Sequence, residues 1–198
     1  MPDEQFENAS RWIRERRTWK PENMDPEREV PQALLDAIFD AANWAPTHGL
    51  TEPWRFKVYR GAARQSLAGA LQQLYSDHMP EGEFRPEKHA KLGLTPLQAK
   101  VVIVICMERQ VSGKIPEVEE IAAVACAVQN MHLLASAAGL GAKWSSPPIC
   151  YTPAMNEFLG LGAEDRCLGL FYLGWPKDGA ATPTSQRKPA TDKVDEMS

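Results

Sequence analysis

The sequence predicts a layered domain of the α/β or α+β class, and three observations lead there. Helical apolar periodicity alternates with short β-branched runs along the chain. One run, Val101 to Met107, is apolar at every position, as a strand covered on both faces would be. Glycine and proline mark the junctions between the periodic segments. Residues 1–198 read as one domain, with no tandem repeat and with a polar, proline-containing tail from about Lys177.

The elements follow in order. Phe6, Ala9, Trp12 and Ile13 recur at helical steps, and the basic run Arg14 to Arg17 suits the end of that helix. An extended segment carrying Pro21 and Pro26 leads to Pro31, which opens a second helix striped by Leu34, Leu35, Ile38, Phe39 and Ala42 and stopped by Pro46. Gly49 and two prolines make residues 46–54 a loop that feeds a strand from Arg55 to Tyr59. A helix runs from about Ala62 to Ser76. Residues 77–96, with three prolines and many charges, read as a mobile excursion or lid. Lys100 to Met107 is a buried strand. Glu117 to Ala138 is the longest helix, almost wholly apolar after Glu120, and such a helix belongs at the domain centre or in a subunit interface. Gly139 caps it. Gly141 to Ser145 is a short strand, Pro153 to Leu159 a short helix, and Arg166 to Leu173 a further buried strand. This makes four or five strands among five helices.

Several chemistries are missing. A net charge of −4 argues against general nucleic-acid binding. No run approaches the roughly 20 apolar residues of a membrane span, and no apolar leader follows the polar start, so a cytoplasmic location is expected. Cys106, Cys126, Cys150 and Cys167 form no C-x-x-C pair and read as free thiols, at least two of them in the core. The Gly-Leu-Gly-Ala segments at 139–142 and 160–163 lack the third glycine of a dinucleotide turn. His48, His78, His89 and His132 show no metal-ligand spacing, and His132 reads as a satisfied core or interface histidine.

Three segments carry chemistry. Arg16, Arg17 and Thr18, followed by Trp19 and Lys20, place forked donors beside a hydroxyl, which suits a phosphate, although a solvated basic helix end has the same composition. Trp44 to Trp54 joins a helix stop, a glycine turn and a restricted strand entry; it is either a rigid ligand loop or a plain connector. Arg187-Lys188-Pro189 stands alone in the polar tail, where a basic tripeptide commonly serves only solubility.

Taken in order, these segments resemble the FMN-dependent nitroreductase family, in particular its short bacterial members. The landmarks are Arg16-Arg17-Thr18, Ala45-Pro46-Thr47-His48-Gly49, Pro53-Trp54, Gly141 to Ser146, Leu173 to Pro176 and Arg187-Lys188-Pro189. The resemblance implies an α+β fold with a central, mainly antiparallel sheet flanked by helices. It also implies a homodimer with the Glu117 helix at its centre and two FMN molecules in the interface. Arg16, Thr18 and Arg187 would hold the FMN phosphate with Arg17 beside them, and Lys20 would place a cation near the flavin ring. Trp144, Ser145 and Ser146 would contact the flavin, and Trp44 and His48 would come from the partner subunit. The implied activity is ping-pong reduction of nitroaromatics, quinones or similar electron-poor acceptors by NAD(P)H, with no catalytic side chain and no metal. Leu50 and Glu52 depart from the Asn and Gln that many relatives carry, and Val118 stands where a relative has tryptophan. Same-fold alternatives are a flavin-consuming or dehalogenating enzyme and a non-catalytic flavin-binding redox module; a cofactor-free structural dimer is the third.

Overall fold

In a computed structural model, which describes residues 3–197, an antiparallel sheet is built around one long strand. β5 (Arg166–Pro176) pairs with β3 (Val101–Met107) on one edge and β4 (Gly141–Ser145) on the other. β2 (Trp54–Arg60) extends the β3 side, and the two-residue β1 (Met24–Asp25) pairs with the C-terminal end of β5. Every pairing between these strands is antiparallel. This is the α+β alternative, and the α/β alternative with a parallel sheet is set aside.

Both faces of the sheet are covered, which is why β3 carries no polar residue. Val101, Ile103, Ile105 and Met107 pack with α2 (Gln32–Asn43) and α5 (Glu117–Ala137). Val102, Val104 and Cys106 pack on the opposite side with α3 (Ala63–His78) and α6 (Pro153–Leu159). α1 (Glu4–Glu15) starts at Asp3, whose carboxylate accepts from the Phe6 amide at 3.1 Å. It ends at Glu15, one residue before the arginine pair.

Residues 77–96 differ from the expectation of a mobile excursion. Most of them belong to α4 (Pro86–Gln98), which lies against α3. Pro86 occupies the first helical turn, where a missing amide hydrogen costs nothing, and Pro96 is buried near the other end. The Gln72 side-chain amide donates to the His89 carbonyl at 3.2 Å, tying the two helices together. The three prolines are compatible with this helix because Pro80 precedes it and Pro86 and Pro96 fall near its ends. Cys126 also departs from its apolar context: it is exposed on α5, whereas Cys106, Cys150 and Cys167 are buried. The short β1 and the helix α4 bring the described elements to five strands and six α-helices.

The end of β4 is shaped by a bulge in β5. Register slips between Ile105 and Cys106, so Leu168 has no partner on β3. The Leu168 carbonyl instead accepts from the Trp144 indole N–H at 3.0 Å. Gly169 next to it has φ +123°, and a Cβ there would lie 2.6 Å from the Ser145 carbonyl oxygen and 2.9 Å from the Trp144 indole nitrogen. Gly169→Ala is therefore expected to destabilise the protein by about 2–3 kcal/mol, read as a lower urea midpoint at unchanged m-value; a midpoint equal to wild type would contradict this account of the bulge.

Candidate cofactor-binding site

The first component is the stretch that follows α1. Thr18 forms a parallel bridge with Ala142, and the Trp19 amide donates to the Ala142 carbonyl at 2.9 Å, so Arg16 to Lys20 runs beside β4. Gly141 permits this approach, since a Cβ on it would stand 3.0 Å from Trp19. Thr18 and Lys20 are exposed and Arg16 and Arg17 half-buried. The Lys20 ammonium lies 3.6 Å from Glu22.

The second component comes from the far end of the chain. Thr182 to Ser185 share a cleft of about 640 Å³ with Arg17, Trp19 and Gly139. The Arg187 that follows lies near enough to Arg16 to act on its ionisation. The Arg16 pKa is lowered by burial first, then by the charges of Arg187 and Arg17. Among the described residues, none of these three guanidiniums pairs with a carboxylate. Arg17 turns to the carbonyls of Arg14 and Arg16, and Arg187 to Ser185 and the Gln186 carbonyl. A local excess of positive charge in a chain of net charge −4 is suited to an anion.

His132 holds the first component in place. It is buried on α5, shares a 3.0 Å hydrogen bond with the Ala142 carbonyl and meets Phe171 edge-on at 5.4 Å. Burial, and secondarily the charge of Arg16, lower its pKa to about 4, against the opposing effect of the Ala142 and Arg17 backbones. The core-or-interface reading of this residue holds. Its contact with the arginine stretch spans more than a hundred positions and leaves no local signal in the sequence.

The remaining predicted residues are dispersed. On β4, Trp144 lies opposite Phe171 and Ser145 opposite Leu170, so their side chains leave opposite faces of the sheet; Ser146 is exposed just beyond. Trp44 is 80% exposed at the end of α2. His48 Nδ1 lies 2.5 Å from the Glu119 carboxylate at the start of α5. Arg17 instead faces Ser136 near the other end of that helix. From Glu119 to Ser136 the helix rises about 25 Å at about 1.5 Å per residue. One chain therefore does not bring His48 to the arginines. The loop around His48 is strained: Leu50 has φ +54° and Glu52 φ +43°, and the Thr47 hydroxyl meets both the Thr51 hydroxyl at 3.1 Å and the Glu52 amide at 3.2 Å.

A second feature concerns α1. None of its residues is buried, and Trp12 and Ile13 are 51% and 60% exposed. With Ala41, Trp44, Leu133 and Leu134 they line an apolar groove of about 590 Å³. Trp44 thus belongs to this groove and not to the arginine cluster.

The His132 ionisation has a thermodynamic consequence. Its folded pKa of about 4 lies below the ordinary 6.5, so the unfolded chain takes up the proton first as pH falls. Stability is intact above pH 6.5 and is lost between there and pH 4, by up to about 3 kcal/mol. His132→Gln should flatten that part of the stability–pH curve, measured by denaturant unfolding; an unchanged slope would show that another group carries it.

The Nitroreductase family model matches residues 13–175. The Escherichia coli protein YdjA, which carries the provisional name NAD(P)H nitroreductase, is 28% identical over 149 residues, covering 75% of this chain and 79% of its own length. A nitroreductase-like family protein from Bacillus cereus superposes with a TM-score of 0.77 at 30% identity, covering 95% of each chain. The FMN-dependent nitroreductase NfnB from Mycobacterium smegmatis, solved in complex with NADPH, matches with a TM-score of 0.73 at 20% identity over 97% of this chain and 99% of its own, which speaks for the fold. No described helix is long and apolar enough to cross a membrane. By the extent of the family match and the Bacillus cereus likeness, the chain belongs to the nitroreductase family.

Proposed function

We propose that the protein is an FMN-dependent NAD(P)H oxidoreductase that reduces nitroaromatics, quinones or similar electron-poor acceptors, and that it acts as a homodimer. The observation that carries this reading is that the tail at Thr182 to Ser185 shares a cleft with Arg17 and brings Arg187 within electrostatic reach of Arg16, with no carboxylate among the described residues paired to any of the three. The residues fit a flavin mononucleotide. Arg16, Arg187 and the exposed Thr18 hydroxyl bind its phosphate, and Arg17 adds positive charge beside them. Lys20 supplies a cation to the ring, and Trp144, Ser145 and Ser146 provide the β4 surface for it. FMN, when bound, supplies a centre that accepts a hydride from the nicotinamide and passes it to the acceptor.

The chain's contribution is binding, orientation and electrostatics. Donor and acceptor use one face of the site in turn. In the net reaction, NAD(P)H and one proton convert a nitro group to a nitroso group and water, or a quinone to a quinol. Solvent supplies the proton, so no side chain is assigned as acid or base.

Two observations support the proposed dimer. The apolar groove lined by Trp12, Ile13, Trp44 and α5 leaves a helix stripe uncovered in the single chain. The roughly 25 Å along α5 between His48 and the arginines is bridged if a second copy packs α5 against α5 in the opposite direction, so that the partner's His48 and the partner's Trp44 reach the flavin.

The purified protein should be yellow, with flavin absorption bands that bleach on mixing with NADH or NADPH. Arg187→Ala should weaken FMN retention by about 1.5–3 kcal/mol, roughly tenfold to a hundredfold in Kd, measured by equilibrium dialysis. A colourless protein that takes up no FMN, or unchanged retention in the variant, would contradict the assignment.

A further inference from the structure

A second cleft, of about 280 Å³, opens between α4 and the β4 end of the sheet. Its walls are apolar, formed by Leu92 of α4, by Ile149 and by the ring of Tyr172. Its charged lining is of one sign: Lys88 and Lys91 from α4 and Lys143 from β4, with no carboxylate among the described lining residues. Lys88 and Lys91 are three positions apart and share one helix face.

Lys143 is the telling residue. It lies directly opposite Tyr172 in the β4–β5 ladder and so leaves the same sheet face, the face that packs against α3 and α6. On that face it is half-buried, near the exposed Lys88 and Lys91 that line the same cleft. Among the described residues, neither it nor Lys88 nor Lys91 is in an ion pair. Ser145 leaves the same face two positions on and also lines the cleft, so the cleft meets the β4 residues assigned above to the flavin at Ser145. The volume lies just below the roughly 300–1,000 Å³ typical of small-molecule pockets. It suits one substituted aromatic ring.

We infer that this cleft selects the electron acceptor, and that its preferred class is an aromatic acceptor bearing a carboxylate: Lys88, Lys91 and Lys143 hold the anionic end while the ring lies between Leu92, Ile149 and Tyr172. The inference rests on the proposed reductase function and adds the substrate class. Reduction of a nitrobenzoate balances as nitroarene plus NAD(P)H plus one proton giving nitrosoarene, NAD(P)+ and water. The carboxylate is unchanged and serves only recognition.

The test compares 4-nitrobenzoate with its neutral analogue 4-nitrobenzamide, using the purified flavoprotein. The kcat/KM ratio should favour the carboxylate by about tenfold or more, the size of one charge-assisted contact, and should shrink as salt is added. In Lys88→Gln/Lys91→Gln the ratio should fall towards one, and Lys91→Arg should retain it. Calorimetric binding of 4-nitrobenzoate to the same proteins reads recognition apart from turnover. A wild-type ratio near one, with both compounds reduced, would overturn the cleft assignment and leave the reductase reading standing. Lysine-dependent binding of 4-nitrobenzoate without reduction of either compound would keep the cleft and sink the reductase reading. No calorimetric binding would overturn the inference outright.

Discussion

Like charges repel, and a fold that holds two arginines together must hold them against that repulsion. Arg187 and Arg17 both lie near enough to Arg16 to act on its charge, and the pKa of Arg16 falls, through burial first and then through these two neighbours. A surface ion pair would normally discharge such a cluster; among the described residues none does. Such an arrangement is costly by itself, and in the proposed function the phosphate of FMN relieves that cost. Preorganisation of this kind trades stability for affinity.

The surrounding structure holds the cluster in place. Ala142 of β4 receives a hydrogen bond from Trp19, and its carbonyl also contacts the His132 ring, so sheet, central helix and arginine stretch meet at one residue. The positive charge of Arg16 contributes to keeping His132 neutral, and a neutral imidazole adds no further repulsion. The β5 bulge at Leu168 fixes Trp144 at the other end of the same strand. β4 is thus anchored at Ala142 and at Trp144, which limits the reorganisation open to the strand.

Much of the fold was legible because periodicity reports burial directly. β4 and α6 fall at the predicted bounds, and the all-apolar β3 is covered on both faces. α4 is not legible, since Pro86 and Pro96 read as breakers, although a proline in the first turn is harmless and Pro96 lies near the helix end. The nearly all-round apolar character of α5 was visible, but which side of it a single chain buries was not: Val124 and Met131 are buried while Val118 and Cys126 face outward. In the site, side-chain types could be read and convergence could not. Arg16 and Arg187 meet only through tertiary structure, and the resemblance of ordered landmarks supplied what local composition lacked. Lys88, Lys91 and Lys143 carry no joint signal in the sequence, because two lie in a charged, proline-containing stretch and the third on a strand whose facing depends on its partner.

The claim that the arginine cluster exists to receive a phosphate is tested most directly by comparing FMN with riboflavin, which carries the same ring without the phosphate. Titrated into flavin-free protein and followed by flavin fluorescence, FMN should bind at least about a hundredfold more tightly, as two lost charge-assisted contacts require. Equal affinity for the two flavins would mean that Arg16 and Arg187 converge for some other reason.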